Sequence, residues 1–249
     1  QLDIAIQAAK EAGAFLREHF ENTESLVVNE ASQHDIKLEL DVRSQTLITE
    51  RLLGAFPDHA LYGEEGIAGN QNSPWQWIVD PIDGTVNYFY GLPHYCVSIA
   101  LRHEGVTQLG VIFDPSTQEL WTGERGKGAF LNGRKLSVSD RSILKEAVIT
   151  VGFSKTAAAM QEGMGRFSEL ASQVRKVRIM GSAALGLAYI ATGRLDAYSE
   201  GFISLWDIAA GVLLIEEAGG QVTLANLDNS EDKFSITASN GKLTLPMPS

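Results

Sequence analysis

No segment of this chain is as restrictive as Asp80-Pro81-Ile82-Asp83-Gly84-Thr85. Two carboxylates stand three residues apart with a proline between them, and a glycine and a hydroxyl follow. Upstream, Trp77-Ile78-Val79 reads as a short buried strand running into Asp80, and Gly84-Thr85 can open a helix. Carboxylates at a strand end beside unpaired backbone N–H groups make a place where a hard cation and a phosphate can meet. Magnesium takes oxygen ligands, usually one or two carboxylates plus phosphate oxygens. A helix N-terminus adds N–H donors and the positive end of a dipole. The same residues also suit an Asp-Pro turn followed by a helix cap.

Two further segments end in the same way, an apolar run followed by acid and then glycine. Leu61-Tyr62-Gly63-Glu64-Glu65-Gly66 reads as a second strand end with adjacent carboxylates. Ser204-Leu205-Trp206-Asp207-Ile208-Ala209-Ala210-Gly211 places an aspartate at the mouth of a small-residue helix. A solvated acidic pair accounts for Glu64-Glu65 alone, and a helix cap accounts for Asp207 alone. Acids converging from all three segments would repel one another unless metal ions neutralised them.

At these residues the chain resembles the inositol monophosphatase family of lithium-sensitive magnesium phosphatases. Gly63-Glu64-Glu65, Asp80 to Thr85 and Trp206 to Gly211 look like its signature motifs. The likeness extends through Gly126-Lys127-Gly128-Ala129-Phe130-Leu131-Asn132-Gly133, Gly181-Ser182-Ala183-Ala184, Asp196-Ala197-Tyr198 and Glu216-Glu217-Ala218-Gly219-Gly220. It implies an α/β fold, a five-layer α-β-α-β-α sandwich of the inositol monophosphatase and fructose-1,6-bisphosphatase type, and a homodimer.

The resemblance also implies a site. Glu64, Asp80 and the Ile82 carbonyl would hold one Mg²⁺. Asp80, Asp83 and Asp207 would hold a second, and a weaker third would sit near Glu64 and Glu65. Two ions roughly 3.5–4 Å apart can clamp the attacking and leaving oxygens of a phosphoryl transfer. Gly84 and Thr85 would offer N–H groups to the phosphate, and the Thr85 hydroxyl would orient the attacking water. Its family partner, an upstream aspartate, falls on Asp41. Gly181, Ser182, Ala183 and Glu200 match positions that line the pocket for the alcohol part of the substrate. Many family members carry Val-Thr where this chain has Lys37-Leu38, and a lysine common upstream is replaced near Glu30. Both departures bear on the third ion.

Composition narrows the function. The formal net charge of −11 argues against direct nucleic-acid contact. It also means that an anionic substrate needs local cations. Cys96 is the only cysteine, which excludes an intramolecular disulfide and a cysteine-rich zinc site. In the apolar run Tyr95-Cys96-Val97-Ser98-Ile99 it reads as a buried structural thiol. No apolar run approaches a membrane span. The opening Gln1-Leu2-Asp3-Ile4 is acidic and helical rather than signal-like, which suits a cytoplasmic protein, and its lack of methionine suggests a trimmed or incomplete start. The five histidines, at 19, 34, 59, 94 and 103, show no ligand-type pairing.

Periodicity supplies the organisation. Ile6, Ala9, Gly13, Leu16 and Phe20 mark an amphipathic helix. Leu47, Ile48, Leu52, Ala55 and Phe56 mark a second that Pro57 stops. From Val97 to Val138 the pattern alternates, with turns at Asp114-Pro115-Ser116 and Asn132-Gly133. These elements form an N-terminal half, 1–145. The half 146–249 opens with a strand at Val148–Val151. A helix with a core stripe at Met160, Met164, Phe167, Ala171 and Val174 follows. Next come helices from Gly181 to Ile190 and Trp206 to Ala218, with Gly193 and Gly219 as their stops. Short strands cover 196–199, 221–223 and 234–238.

The leading functional expectation is a Mg²⁺-dependent phosphomonoesterase acting on inositol 1-phosphate or a similar small polyol phosphate. Rivals within the superfamily are adenosine 3′,5′-bisphosphate phosphatase, fructose-1,6-bisphosphatase and histidinol-phosphatase. A nucleotide bisphosphate would call for a second cationic site, for which Arg178 and Arg194 are the nearby candidates. A regulatory protein-binding role is the alternative outside catalysis.

Overall fold

Alanine sets the first helix. In α1 (Leu2–Phe20), Ala5, Ala8, Ala9, Ala12, Gly13 and Leu16 are all buried, so small side chains let the helix lie close to its neighbours. The computed structural model describes residues 1–20, 27–31, 36–153, 157–227, 230 and 232–245. The ending Pro246-Met247-Pro248 and the side chains of Glu30 and Lys37 lie outside what it describes. A ribbon of β1 (Val28–Ala31) and β2 (Ile36–Leu38) leads into α2 (Glu39–Ala55). Its buried face is Leu40, Asp41, Ser44, Gln45, Ile48 and Leu52. Leu47 and Ala55, expected on that face, are exposed. The apolar count misjudged the face because its N-terminal half is polar, and those polar residues serve the site described below.

The chain then lays down β3 (Ala60–Gly63), β4 (Gly66–Gly69), β5 (Trp75–Asp83), the short α3 (Thr85–Phe89), β6 (Cys96–His103), β7 (Val106–Asp114), β8 (Glu119–Glu124), β9 (Gly128–Leu131) and β10 (Arg134–Lys135). Among the described residues these strands form one sheet in the order β10-β9-β8-β7-β6-β5-β3-β4. Only β3 and β5 run parallel. The expected turns are present. Asn132 and Gly133 both have positive φ, 47° and 78°, as a two-residue hairpin requires. The Asp114 carboxylate accepts the Ser116 and Thr117 N–H groups at 2.7 and 3.1 Å.

The second half supplies β11 (Val148–Val151), α4 (Ala157–Gln173), β12 (Lys176–Arg178), α5 (Ala183–Ala191), β13 (Ala197–Ser204), α6 (Leu205–Glu217), β14 (Gln221–Asn226) and β15 (Lys233–Ser239). Its sheet runs β12-β11-β13-β15-β14. Gly193 and Gly219 follow the caps of α5 and α6 with φ of 69° and 87°. Met164 departs from expectation: it is 55% exposed, so the α4 stripe does not bury both methionines.

The layers follow from what each helix touches. The α1–α2 pair covers one face of the larger sheet, where Leu16, Ile48, Trp77 and Val97 share a core. Between the sheets lie α5 and α6, and Ile112, Trp121, Leu187, Leu214 and Ile236 form the principal core there. On the outer face of the smaller sheet, α4 packs its Leu170 over Ile149, Val151 and Ala197. The result is the α-β-α-β-α sandwich, with each sheet burying its apolar face against helices.

Close approach of α6 to β7 depends on Gly110. A Cβ there would stand 2.9 Å from the Ala210 carbonyl oxygen and 3.0 Å from its Cα, both backbone atoms. Gly110→Val should therefore lower unfolding stability by about 1–3 kcal/mol, the usual cost of overpacking. Denaturant titration measures this, and an unchanged midpoint would show that the layers have room to part.

Candidate active site

Alternation along a strand sends residues i and i+3 to opposite faces. Asp80 and Asp83 escape that rule because the pairing of β5 with β6 shifts register between them. Pro81, which lacks an N–H, sits within the shift. Such a bulge re-aims side chains. Carboxylate oxygens of Asp80, Asp83 and Asp207 consequently lie within 4.8 Å of one another. They line the floor of a cavity of about 530 Å³, together with Glu64, Ile82, Gly84, Thr85, Gly181, Ser182, Ala183 and Glu200.

Asp207 arrives from the other half of the chain. It is the third residue of α6, and the Ser204 N–H donates to its Oδ2 at 2.9 Å in a capping box. Capping and convergence are thus two uses of one side chain. Asp83 is gripped more fully. Its Oδ2 accepts the Ser182 hydroxyl at 2.5 Å and the Ala184 N–H at 2.7 Å, and its Oδ1 accepts the Ala183 N–H at 3.2 Å. The segment Gly181–Ala183, expected to face the substrate alcohol, also anchors Asp83 at the start of α5. Cys96 is fully buried behind it, with Sγ 3.7 Å from Asp83 Oδ2.

Asp41 comes from the polar face of α2. Its Oδ2 accepts the Leu38 N–H at 2.7 Å, and its Oδ1 lies 3.3 Å from the Thr85 hydroxyl. That hydroxyl also donates to the Ile82 carbonyl at 2.9 Å. One turn further along α2, Ser44 donates to the Pro81 carbonyl. Gln45 holds the β3–β4 turn, with its Nε2 on the Gly66 carbonyl at 3.0 Å and its Oε1 on the Glu65 N–H at 2.9 Å. Sequence reasoning missed Ser44 and Gln45. The available signal was their three- and four-residue spacing from Asp41. Glu65 lies beside Gln45 in a separate shallow depression and does not line the cavity.

Gly84 has φ 100°, and a Cβ there would stand 2.9 Å from the His94 carbonyl oxygen, so no other residue fits comfortably. The helix it opens, α3, has only five residues. Its dipole is correspondingly small, and the N–H groups that precede its first bond, Tyr88 N–H to the Gly84 carbonyl, are the useful donors. Asn87 ties this turn to the second half, donating to the His94 and Met180 carbonyls at 2.8 and 3.0 Å. Glu200 receives the Tyr198 hydroxyl. Arg178 and Arg194, the expected candidates for a second anion site, do not line the cavity, and Arg194 pairs with Glu119. Lys233, which does line it, was not anticipated.

Burial dominates the electrostatics. Desolvation raises Asp80 well above the ordinary carboxylate range, and the charges of Glu64, Asp83 and Asp207 raise it further. Asp207 is lifted in the same way, by burial and then by Asp83 and Glu64. Asp83 is raised by burial despite its donors at Ser182, Ala184 and Ala183. Burial pushes Asp41 up to about 7, against the opposing Leu38 N–H bond. A donor set made only of hard oxygens, each reluctant to ionise unaided, fits a divalent cation such as Mg²⁺.

Two sheets around a central helix pair, with a buried cluster of three acids at their junction, define an α/β layered protein with a candidate cation site. The comparisons give the family: residues 1–245 match the inositol monophosphatase family model, and the chain belongs to that family. It is similar to the Nus factor SuhB of Xylella fastidiosa, 43% identical over 89% of this chain and 80% of that one. An inositol-1-monophosphatase of Rhizobium meliloti is 40% identical, over 89% and 84%. The crystal structure of the extragenic suppressor protein suhB from Bartonella henselae superposes with a TM-score of 0.90 at 34% identity, covering 97% of this chain and 94% of that one.

The raised carboxylates predict a pH effect on metal-free protein. A folded-state pKa above the unfolded value means that the native state holds the extra proton. This contribution is complete below the unfolded value of 3.8 and is lost as pH rises through the raised folded-state values, about 7 for Asp41, with Asp80 and Asp207 shifted in the same direction by burial. Mg²⁺ should reverse the trend, so the rise in thermal midpoint on adding it should be larger near pH 8 than near pH 5. An increment that shrinks with rising pH would contradict the assignment.

Proposed function

We propose that this protein is a Mg²⁺-dependent phosphomonoesterase whose substrate is a small polyol phosphate of the inositol 1-phosphate type. The observation that carries the reading is the convergence of Asp80, Asp83 and Asp207 at the floor of a cavity that also holds Thr85. In this reading Glu64, Asp80, Asp83, Asp207 and the Ile82 carbonyl hold two ions, and Glu65 borders a third. The first half of the chain, to about residue 145, supplies most of the ligands, and the second supplies Asp207 and the pocket. Bound Mg²⁺ supplies positive charge that lowers the pKa of water and neutralises the departing oxygen.

The chain's own residues do the rest. Thr85 has two acceptors for one proton. When its hydroxyl turns to Asp41, its oxygen lone pairs are left to accept from an attacking water. Asp41, raised to about 7, is a base matched to neutral pH. The N–H groups at Gly84 and Thr85 orient the phosphoryl oxygens. Glu200 accepts from substrate hydroxyls, with the Tyr198 hydroxyl fixing its carboxylate.

Asp207→Asn should abolish turnover by several orders of magnitude with little loss of stability, because asparagine can still accept the Ser204 N–H. Asp83→Asn should be equally inactive and also lose about 1–3 kcal/mol, since both carboxylate oxygens accept N–H or O–H donors and, whichever way the amide turns, its NH2 meets one of them. Thr85→Ala should cost about 10²–10⁴-fold in turnover. Phosphate release measured with and without chelator checks all three, and full activity without metal would refute the reading. Glu200→Gln should raise KM for inositol 1-phosphate and leave a simple aryl phosphate nearly unaffected; equal effects on both would remove Glu200 from polyol recognition. A homodimer is part of the same proposal, and a monomer mass by light scattering at micromolar concentration would remove it.

A second reading, a regulatory contact with other proteins, follows from relatives named as Nus factors. The Asp207→Asn variant separates the two, since a binding role survives loss of turnover.

A further inference from the structure

Five carboxylates line the cavity, at Glu64, Asp80, Asp83, Glu200 and Asp207, and among the described residues one cationic side chain lines it with them, Lys233. Its position is built. Lys233 on β15 stands opposite Ser204 on β13, and its ammonium donates to Ser204 Oγ at 2.8 Å. The same ammonium lies 4.4 Å from the centre of the Trp206 ring, which also meets the Tyr62 ring. These contacts hold the charge beside the first turn of α6, the turn that carries Asp207.

Asp232 forms an ion pair with that charge but no hydrogen bond to it. Its nearest oxygen is 3.8 Å from the Lys233 nitrogen. Its Oδ2 accepts the Tyr62 hydroxyl at 2.6 Å, and its Oδ1 accepts the Ser230 hydroxyl. An ammonium has three donors, and one is committed to Ser204. The side chain is 27% exposed, enough to meet a ligand and sheltered enough for its charge to matter. A structural brace for Trp206 would need no opening onto the cavity, and Lys233 has one.

We propose that Lys233 forms a second anion subsite, which selects phosphate esters whose alcohol part carries a further anionic group such as a carboxylate. The proposal builds on the phosphomonoesterase reading and widens its substrate class. Glu200 and Lys233 then recognise opposite chemistry, hydroxyl donors at the carboxylate and anionic acceptors at the ammonium. A charge-assisted hydrogen bond at a partly exposed site corresponds to a preference of about five- to tenfold.

The matched probes are 2-phosphoglycerate and glycerol 2-phosphate, which differ by a carboxylate in place of a hydroxymethyl group. The readout is the ratio of their kcat/KM values with Mg²⁺ present. Lys233→Gln, which keeps a donor for Ser204, should lower that ratio about five- to tenfold relative to wild type, and Lys233→Arg should keep most of it. The wild-type ratio should also fall as salt rises from about 20 to 200 mM, a test that needs no variant. A ratio unchanged by Lys233→Gln or by salt overturns the subsite, whatever happens to absolute rates. If neither ester is hydrolysed, and inositol 1-phosphate is not hydrolysed either, the phosphomonoesterase reading fails. Calorimetric titration of the same two esters with Mg²⁺ then still decides the subsite. Tighter binding of 2-phosphoglycerate to wild type than to Lys233→Gln, with glycerol 2-phosphate as reference, supports it, and equal discrimination overturns it.

Discussion

The bulge in β5 is the constraint on which the site depends. Without the register shift between Asp80 and Asp83, the two carboxylates would project to opposite faces of the sheet. One would enter the helix-covered core with no compensating partner, at a cost of several kcal/mol. With the shift, both reach the junction between the sheets, where Asp207 meets them. The remaining architecture arranges donors around that choice. Three groups at the start of α5 hold Asp83, the Ile82 N–H holds Asp80 at 3.0 Å, and the Ser204 N–H holds Asp207.

These backbone donors fix position without neutralising charge. Burial still lifts all three acids, an electrostatic cost that a divalent cation held there would relieve. Preorganisation of this sort suits the proposed role, in which ions would be held at fixed spacing while phosphate exchanges. The face of α2 extends the same logic outward. Asp41, Ser44 and Gln45 couple that helix to Thr85, to Pro81 and to the β3–β4 turn. The acidic segments at the end of β5 and at the β3–β4 turn are thereby set on one frame.

Much of this was legible in the sequence, for identifiable reasons. Motif residues in order place the fold and bring together Glu64, Asp80, Asp83, Thr85 and Asp207, because long signatures restrict backbone and chemistry together. The alternating strands from Val97 onward and the Asn132-Gly133 hairpin follow from local preferences. The face of α2 was misread because apolar periodicity cannot see a buried face made of Asp41, Ser44 and Gln45. The edge strand β12 went unseen because Lys176-Val177-Arg178 reads as surface, which is how an edge strand protects itself. Lys233 was invisible for another reason. Its contact with Ser204 spans two strands whose pairing the local pattern does not announce.

The grip on Asp83 has a consequence for biosynthesis. Asp41, Glu64, Asp80 and Asp83 all emerge from the ribosome well before Ser182, Ala184 and Asp207. Until α5 docks, Asp83 lacks the donors that set its orientation, and until α6 forms, the cluster lacks its third acid. A nascent chain that has made only the first sheet therefore carries most of the acidic groups in an arrangement with no defined pocket. The acidic cluster is therefore complete only once the last helices have formed, and a chain that stops before them lacks its third acid.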